Sequence, residues 1–550
     1  MIFAGTKIPV GIEIHDKESL VRALFQQSKE VREIVKSFGG KLDRARKCYI
    51  VTPDDTQELI KILKSDDYVS QVYVTDLRTK RESNLVLPES GLVLPPDLFN
   101  HQNRGVNLAW NNPRFGFFME PGTGKTRMML EVIRQLNLKK KGTKFLVVCP
   151  LAIIEDVWMN QCKQYTPELR AVNLRDPRMQ ALIFHNKLDF NIGIINFESF
   201  RSLLTLFFQT GYDGLIIDES SKLKDPKSQI TRLLIAFSPQ VERLYCLSGT
   251  PAPNSDLDWW GQLRTIDGSI LGTSFFAFRN RWFSNIGAKW TKYVLKGGQR
   301  EEMLKRISKV AIFVKKSECL DLPEKIREKR TCTLNVEEET AYKDMMNTLT
   351  MELNGMDISA PAAIAKIMKL RQITAGFIYD ATKASHKIGE SKQEKLDEIL
   401  EELEGQQAII WIQFQAEAIQ IVHRIDKIHK ASTSVLIGGM TAKERTQSIE
   451  DFRAGRSQYL IAHPASAGHG LSFVNCHYAI YVSVSYSFET ITQSEDRLHR
   501  PGQRNPVTYY YILANRKDGG QTVDHAIYNV INKKAKLHAE IARLLSLENR

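Results

Sequence analysis

The 550-residue chain reads as an α/β protein built on parallel sheets, and three stretches predict it. The first, Phe117-Phe118-Met119-Glu120-Pro121-Gly122-Thr123-Gly124-Lys125-Thr126, is an apolar strand running into a glycine loop and then a helix. The second, Gly214-Leu215-Ile216-Ile217-Asp218-Glu219-Ser220-Ser221, is a short apolar run with two carboxylates at its C-terminal end, the pattern of a buried parallel strand. The third, Gln493-Ser494-Glu495-Asp496-Arg497-Leu498-His499-Arg500-Pro501-Gly502-Gln503, places two arginines three residues apart, which on a helix turns them to one face.

Taken in order, residues 1–92 read as a small α+β domain. Ile8 to Ile14 predicts a strand, Lys17 to Ser37 an amphipathic helix and Cys48 to Thr52 a second strand. Asp54 to Lys64 predicts a helix begun after Pro53, and Val72 to Thr75 a last strand. Leu92-Val93-Leu94-Pro95-Pro96 is a rigid boundary. Residues 97–265 contain the first two motifs and form a first lobe. Residues 266–385 are helix-rich, with helices expected over Glu337 to Asn354 and Pro361 to Ala375 as protrusions and a bridge. Residues 390–535 form a second lobe carrying the third motif. The basic amphipathic pattern over 524–547 reads as a packing brace, with 536–550 as the C-terminal helix end. The chain shows no repeat and no low-complexity segment.

Composition bounds the partners. Hydrophobic residues at 43% and charged residues at 25% are ordinary for a soluble globular protein. No apolar run is long enough to cross a bilayer, and the amino terminus lacks a signal-peptide core, so a soluble intracellular protein is expected, cytoplasmic or, in a eukaryote, nuclear. The net charge of +13 suits a polyanion. The seven cysteines are scattered without a CxxC pair, which reads as reduced thiols rather than a zinc site.

The chemistry follows from residue types. Gly122 and Gly124 let backbone N–H groups approach a polyphosphate, with Pro121 and Thr123 completing the loop. Lys125 can reach the β/γ-phosphates, and the Thr126 hydroxyl can bind Mg²⁺ at the helix N-terminus. Met119 stands where the full G-x-x-x-x-G-K-[ST] spacing has its first glycine. Asp218 is suited to hold the Mg²⁺ shell, and Glu219 to orient and deprotonate an attacking water. Arg497 and Arg500 are suited to charge developing on a transferred phosphoryl group. Taken alone, the carboxylate pair reads better as a solvated turn at a strand end, and the arginines as an exposed basic helix end before a Pro-Gly stop. Their order behind Lys125 favours catalysis.

Together these motifs resemble the Swi/Snf-type branch of superfamily-two helicases, ATP-driven translocases on double-stranded DNA. The likeness spans about residues 90–535, and the third motif is its most specific part. Gln102, in Leu98-Phe99-Asn100-His101-Gln102, resembles the adenine reader. The stretch from Val148-Cys149-Pro150 to Trp158, and then Ile195-Asn196-Phe197-Glu198, resemble DNA-contact motifs. Ser248-Gly249-Thr250-Pro251 resembles the element coupling hydrolysis to movement. Phe313-Val314-Lys315-Lys316 with Leu322-Pro323-Glu324-Lys325 resembles the interlobe bridge. Trp411-Ile412-Gln413-Phe414, Gly438-Gly439-Met440-Thr441 with Glu444-Arg445, and Gly468-His469-Gly470-Leu471 resemble second-lobe motifs.

The resemblance implies two RecA-like lobes with helical insertions and nucleotide between them. ATP with Mg²⁺ would be bound by Gln102, the residues from Pro121 to Thr126, Gly470 and Gln493. Lys125, Asp218, Glu219, Arg497 and Arg500 would be catalytic, and Pro150, Ser248, Gly249, Thr250, Gly439, Arg445 and Gly468 would serve coupling or DNA contact. Two departures stand out. Ser220 and Ser221 replace the family's usual Ala/Gly-His after the carboxylates, so a hydroxyl contact is expected in place of a histidine one. His463-Pro464 takes the usual Ser/Thr place of the fifth motif.

The pattern around Phe38-Gly39-Gly40-Lys41 and Lys47-Cys48-Tyr49-Ile50 resembles the accessory domain of annealing helicases, with a stabilising cap on the first lobe as the plainer alternative. Lys36, Lys41, Arg44, Arg46, Lys47 and Tyr49 cluster there, as a phosphate- and base-binding loop would. The expected function is a monomeric ATP-dependent double-stranded-DNA translocase that remodels branched DNA by fork regression, annealing or branch migration. Its partners would be double-stranded or branched DNA and replication or recombination proteins, with no membrane. The alternatives are a strand-separating DNA or RNA helicase and a non-catalytic DNA-binding scaffold.

Overall fold

A computed structural model describes residues 91–286, 293–355, 360–467 and 471–545, together with the backbone of five strands between residues 8 and 76. Those strands, β1 (Ile8–Ile14), β2 (Ser19–Ala23), β3 (Lys41–Asp43), β4 (Cys48–Val51) and β5 (Val69–Asp76), form one sheet in the order β3-β4-β2-β1-β5. Within the stretch expected to be helical, Ser19–Ala23 is instead a strand, antiparallel to both β1 and β4. Pairing on both sides satisfies its backbone groups and overrides local helical periodicity. The expected helix over Asp54 to Lys64, the Gly39-Gly40 turn, and Lys36, Arg44, Arg46 and Lys47 lie outside the described residues.

The chain divides into two compact units, Met1–Cys319 with His538–Arg550, and Leu320–Leu537. The first unit holds a seven-stranded sheet of β6 (Arg114–Met119), β7 (Phe145–Cys149), β8 (Ala171–Asn173), β9 (Ile192–Asn196), β10 (Gly214–Asp218), β11 (Arg243–Ser248) and, after the β12–β13 hairpin (Phe283–Asn285, Tyr293–Leu295), β14 (Ala311–Val314). The order is β14-β6-β11-β10-β7-β9-β8, and every pairing is parallel. Strands β6, β7, β9 and β10 are buried along their whole length, as continuous apolar runs in a sheet covered on both faces must be. Phe117, Met129, Ile133, Val147, Ile216 and Trp158 belong to one core beside this sheet.

The second unit holds a six-stranded parallel sheet in the order β15-β22-β21-β18-β20-β19. Its strands are β15 (Lys325–Thr333), β18 (Ala408–Trp411), β19 (Thr433–Leu436), β20 (Tyr459–Ala462), β21 (Tyr478–Tyr481) and β22 (Val507–Asn515), with a small antiparallel pair β16 (Phe377–Tyr379) and β17 (Ser385–Lys387) beside it. Alternate residues feed two cores: Ile409, Trp411 and Tyr481 one, Ile410, Ile480 and Ile512 the other. That is the period of two expected of a sheet packed on both faces. Two helices, Val336–Gly355 and Ala360–Thr374, fill the insertion within a residue of the sequence expectation.

Candidate nucleotide site

Strand order builds the first half of the site. Strands β6, β11 and β10 are neighbours, with Phe118 opposite Ser248 and Leu247 opposite Asp218. Parallel pairing therefore brings the glycine loop, the Ser248-Gly249-Thr250-Pro251 loop and the Asp218-Glu219 pair to one edge, at the carboxyl ends where open α/β sheets take ligands.

The glycine loop is pinned from outside. Gly122 and Gly124 sit at φ +87° and +81°, and helix Lys125–Lys139 starts directly after them. A Cβ on Gly124 would lie 2.0 Å from Nε2 of Gln102, so only glycine fits. Gln102 is buried and donates to the carbonyls of Thr123 (3.3 Å) and Gly124 (3.5 Å), while His101 Nε2 lies 2.7 Å from the Thr123 carbonyl. The side chain that resemblance makes the adenine reader thus also braces the loop. Lys125 Nζ donates to the Met119 carbonyl at 2.8 Å, folded back over the strand end.

Asp218 is buried, and each oxygen receives one donor: Oδ1 the backbone N–H of Glu219 at 3.1 Å, Oδ2 the indole N–H of Trp158 at 2.9 Å. Burial, joined by the neighbouring Glu219 charge, pushes its carboxyl up to about 6 against the opposing pull of Lys125 and the Trp158 donor. Glu219 follows in left-handed backbone, φ +58°, rare for a residue with a side chain. The donor set fits Mg²⁺: Asp218 and the Thr126 hydroxyl are hard oxygen ligands, and the Asp218 charge is costly until a cation offsets it. Among the described residues no group of three or more His, Cys, Asp or Glu could hold a metal.

A buried relay joins the carboxylate pair to the Ser248-Gly249-Thr250-Pro251 loop. Ser220 donates to Oε1 of Gln262 at 2.7 Å, and Nε2 of Gln262 donates to the Pro251 carbonyl at 2.6 Å. Both side chains are fully buried. A Cβ on Gly249 would lie 2.6 Å from Cδ of Pro121, so this loop also abuts the glycine loop. The hydroxyl expected at 220 is therefore a link. Sequence reading missed Gln262, whose only signal is an amide within the apolar helix Trp259–Ile266. It also passed over the role of Trp158. Pro150 ends β7 buried, and its carbonyl accepts the Ile153 N–H at 3.1 Å.

In the second unit, Arg497 and Arg500 converge as expected, but not on a helix. Helix Phe488–Glu495, which carries a half-buried Gln493, ends before them, and Asp496 to Arg500 run as turns into Pro501. Both guanidinium groups donate to the Leu471 carbonyl, at 3.2 and 2.7 Å. Burial lowers the Arg500 pKa. Beneath them Glu495 is fully buried, bound through both oxygens by Arg327 at 2.7 Å, by Lys325 at 2.6 Å and by the Tyr511 hydroxyl at 2.6 Å. Gly439 sits at φ +91°, and Arg445 donates to the Ser466 carbonyl at 2.6 Å, joining two second-lobe motifs. His463 Nδ1 accepts the Ala465 N–H at 3.3 Å, making a turn of the departing fifth motif. Gly468 and Gly470 lie outside the described residues. No helix of the described residues is long and apolar enough to cross a membrane.

Comparison with known proteins agrees with this chemistry. The SNF2-related domain model matches residues 101–376, and the helicase conserved C-terminal domain model matches residues 391–502. The putative protein p41 of Acyrthosiphon pisum secondary endosymbiont phage 1 is 26% identical over 79% of this chain and 95% of its own length. An uncharacterized ATP-dependent helicase of Mycoplasma genitalium is 22% identical over 80% of this chain, which spans only 42% of that protein. Among solved structures, the Sulfolobus solfataricus SWI2/SNF2 ATPase core in complex with dsDNA aligns over 83% of this chain and 99% of its own, at 20% identity and a TM-score of 0.39. With one family model covering half the chain and the helicase C-terminal model following in order, the chain belongs to the SNF2-related family of helicase-like ATP hydrolases.

Proposed function

We propose that this ATPase is a translocase on double-stranded DNA whose work is remodelling branched DNA, with residues 1–92 as the part that recognises the branch. The observation that carries the reading is the Ser220–Gln262–Pro251 relay, which ties the hydrolytic carboxylates to the coupling loop through fully buried groups. Hydrolysis that merely consumed ATP would need no such tie. The net charge of +13 adds an electrostatic attraction for phosphates that is indifferent to sequence.

In the proposed chemistry the loop from Pro121 to Thr126 holds the β- and γ-phosphates, and Lys125 leaves the Met119 carbonyl for them. Thr126 and Asp218 would hold Mg²⁺, which would supply charge to offset that of the phosphates. Glu219 takes the proton of the attacking water as the new P–O bond forms and the bond to the β-phosphate oxygen breaks. Arg497 and Arg500 offset the charge spreading over the transferred group. Loss of the γ-phosphate is felt by the coupling loop, which drives the step along DNA.

The test is ATP turnover with linear duplex, single-stranded and forked DNA and with RNA, across a salt series. Duplex should stimulate most, with stimulation falling steeply as salt rises. Deleting residues 1–92 should remove the preference for forks and leave duplex stimulation intact. Stimulation by RNA alone would replace this reading with an RNA helicase.

A further inference from the structure

Trp158 lies in a π-helical turn, Ile154–Met159, in which the Asn160 N–H reaches back to the Glu155 carbonyl. Single π-turns interrupt helices mostly at functional sites, because the extra residue per turn re-aims the side chains within it. Here the turn aims an indole inward. Trp158 is fully buried in the first-unit core with Cys149, Ile153 and Ile154, and its N–H meets Oδ2 of Asp218 at 2.9 Å.

An indole N–H is a donor and nothing else, so this contact has one polarity and cannot flip. Ring packing fixes where it points. With the Glu219 N–H on the other oxygen, the two donors leave the Asp218 carboxylate no freedom to rotate. A carboxylate that is to orient a metal's water shell needs that restraint, because outer partners set the ligand's direction and basicity.

We propose that Trp158 is a positioning residue for the metal-holding carboxylate: its indole N–H, presented by the π-turn after β7, fixes Asp218 in the orientation that binds Mg²⁺ with nucleotide. The proposal rests on the assignment of Asp218 to the Mg²⁺ shell, and its test separates the two. It also gives the stretch between Pro150 and Trp158 a function inside the ATP site, since any displacement of the π-turn is transmitted to one carboxylate oxygen.

The experiment measures Mn²⁺ binding to the full chain with ADP by electron paramagnetic resonance, beside metal-free ADP affinity. Trp158→Phe removes the donor along with some ring volume. A second variant, with 3-benzothienylalanine at position 158, keeps the ring volume and puts sulfur in place of the N–H. Both should weaken Mn²⁺ in the ADP complex by about 10–100-fold, the usual cost of losing an outer partner of a metal ligand. Metal-free ADP affinity should not change, and the melting temperature of the benzothienyl variant should fall no further than loss of one buried hydrogen bond requires. In an Asp218→Asn background neither variant should weaken Mn²⁺ further. Unchanged Mn²⁺ affinity in the benzothienyl variant, with a large loss in Asp218→Asn, overturns the role of Trp158 alone. Unchanged affinity in Asp218→Asn overturns the assignment of Asp218. Equal losses of Mn²⁺ and metal-free ADP affinity would make Trp158 a packing residue only.

Discussion

Replacing Glu495 with Gln tests whether the buried cluster beneath Arg497 and Arg500 holds its unit together by charge. Burial raises the carboxyl's pKa, but Lys325 and Arg327 outweigh it and hold the group at about 2, below the ordinary 4.5. The unfolded chain therefore binds this proton more tightly than the native one does. At 1.36 kcal/mol per pH unit, the lowered pKa contributes about 3 kcal/mol to native stability at neutral pH. That stability is present in full above the unfolded value, falls to about 2 kcal/mol near pH 3.5, and is lost as pH drops through the folded value. Glutamine retains an acceptor for Arg327 but carries no charge, so the partly buried Lys325 and the more exposed Arg327 lose the buried counterion they share. The assay is hydrogen exchange by mass spectrometry on peptides from 320–537, in urea, for both proteins at pH 7 and pH 3.5. The stability gap should be near 3 kcal/mol at pH 7 and narrower by about 1 kcal/mol at pH 3.5. A gap unchanged between the two pH values, or absent at pH 7, would refute the electrostatic account.

Glu219→Gln should retain ATP binding and lose about 10²–10⁴ in turnover, whereas Lys125→Ala should lose ATP affinity as well; fluorescent-nucleotide binding beside phosphate release separates them. Gly124→Ala combines a left-handed backbone with a Cβ driven onto Gln102, so it should lower both the melting temperature and nucleotide affinity. Gln262→Leu keeps the volume but leaves Ser220 and the Pro251 carbonyl without this partner. It should cost about 1–3 kcal/mol in denaturant unfolding and reduce the DNA-stimulated rate more than the basal one. Arg500→Ala should lower kcat with little change in ATP affinity or DNA binding, read by steady-state kinetics and a filter assay.

Much of this was legible from the chain alone. Apolar strands that end in glycine or in paired carboxylates announce a parallel sheet and the edge where its ligands bind, because burial on both faces leaves little room for other residues. Lys125, Asp218 and Glu219 were read correctly as lying at strand ends, since their spacing from the apolar runs is local. Ser19–Ala23 was misread because its state is decided by two neighbouring strands far along the chain. The i, i+3 spacing of Arg497 and Arg500 speaks to a shared face of a helix, and the Pro501-Gly502 stop is legible, but that the helix ends already at Glu495 is not. Trp158 is legible only as the end of a DNA-contact motif, and Gln262 not at all. Each acts through a buried contact across more than 40 positions of sequence, and no local pattern encodes the partner.

The left-handed backbone at Glu219 sets protein stability and chemistry against each other. A residue with a side chain pays roughly 1–2 kcal/mol for that conformation, and glycine would escape it, less the part returned through glycine's freer unfolded chain. Selection for melting temperature alone would thus find Glu219→Gly acceptable or better, at the position where turnover tolerates it least. With Glu219 as the base proposed above, a lineage released from selection for hydrolysis is expected to lose the glutamate at this position early.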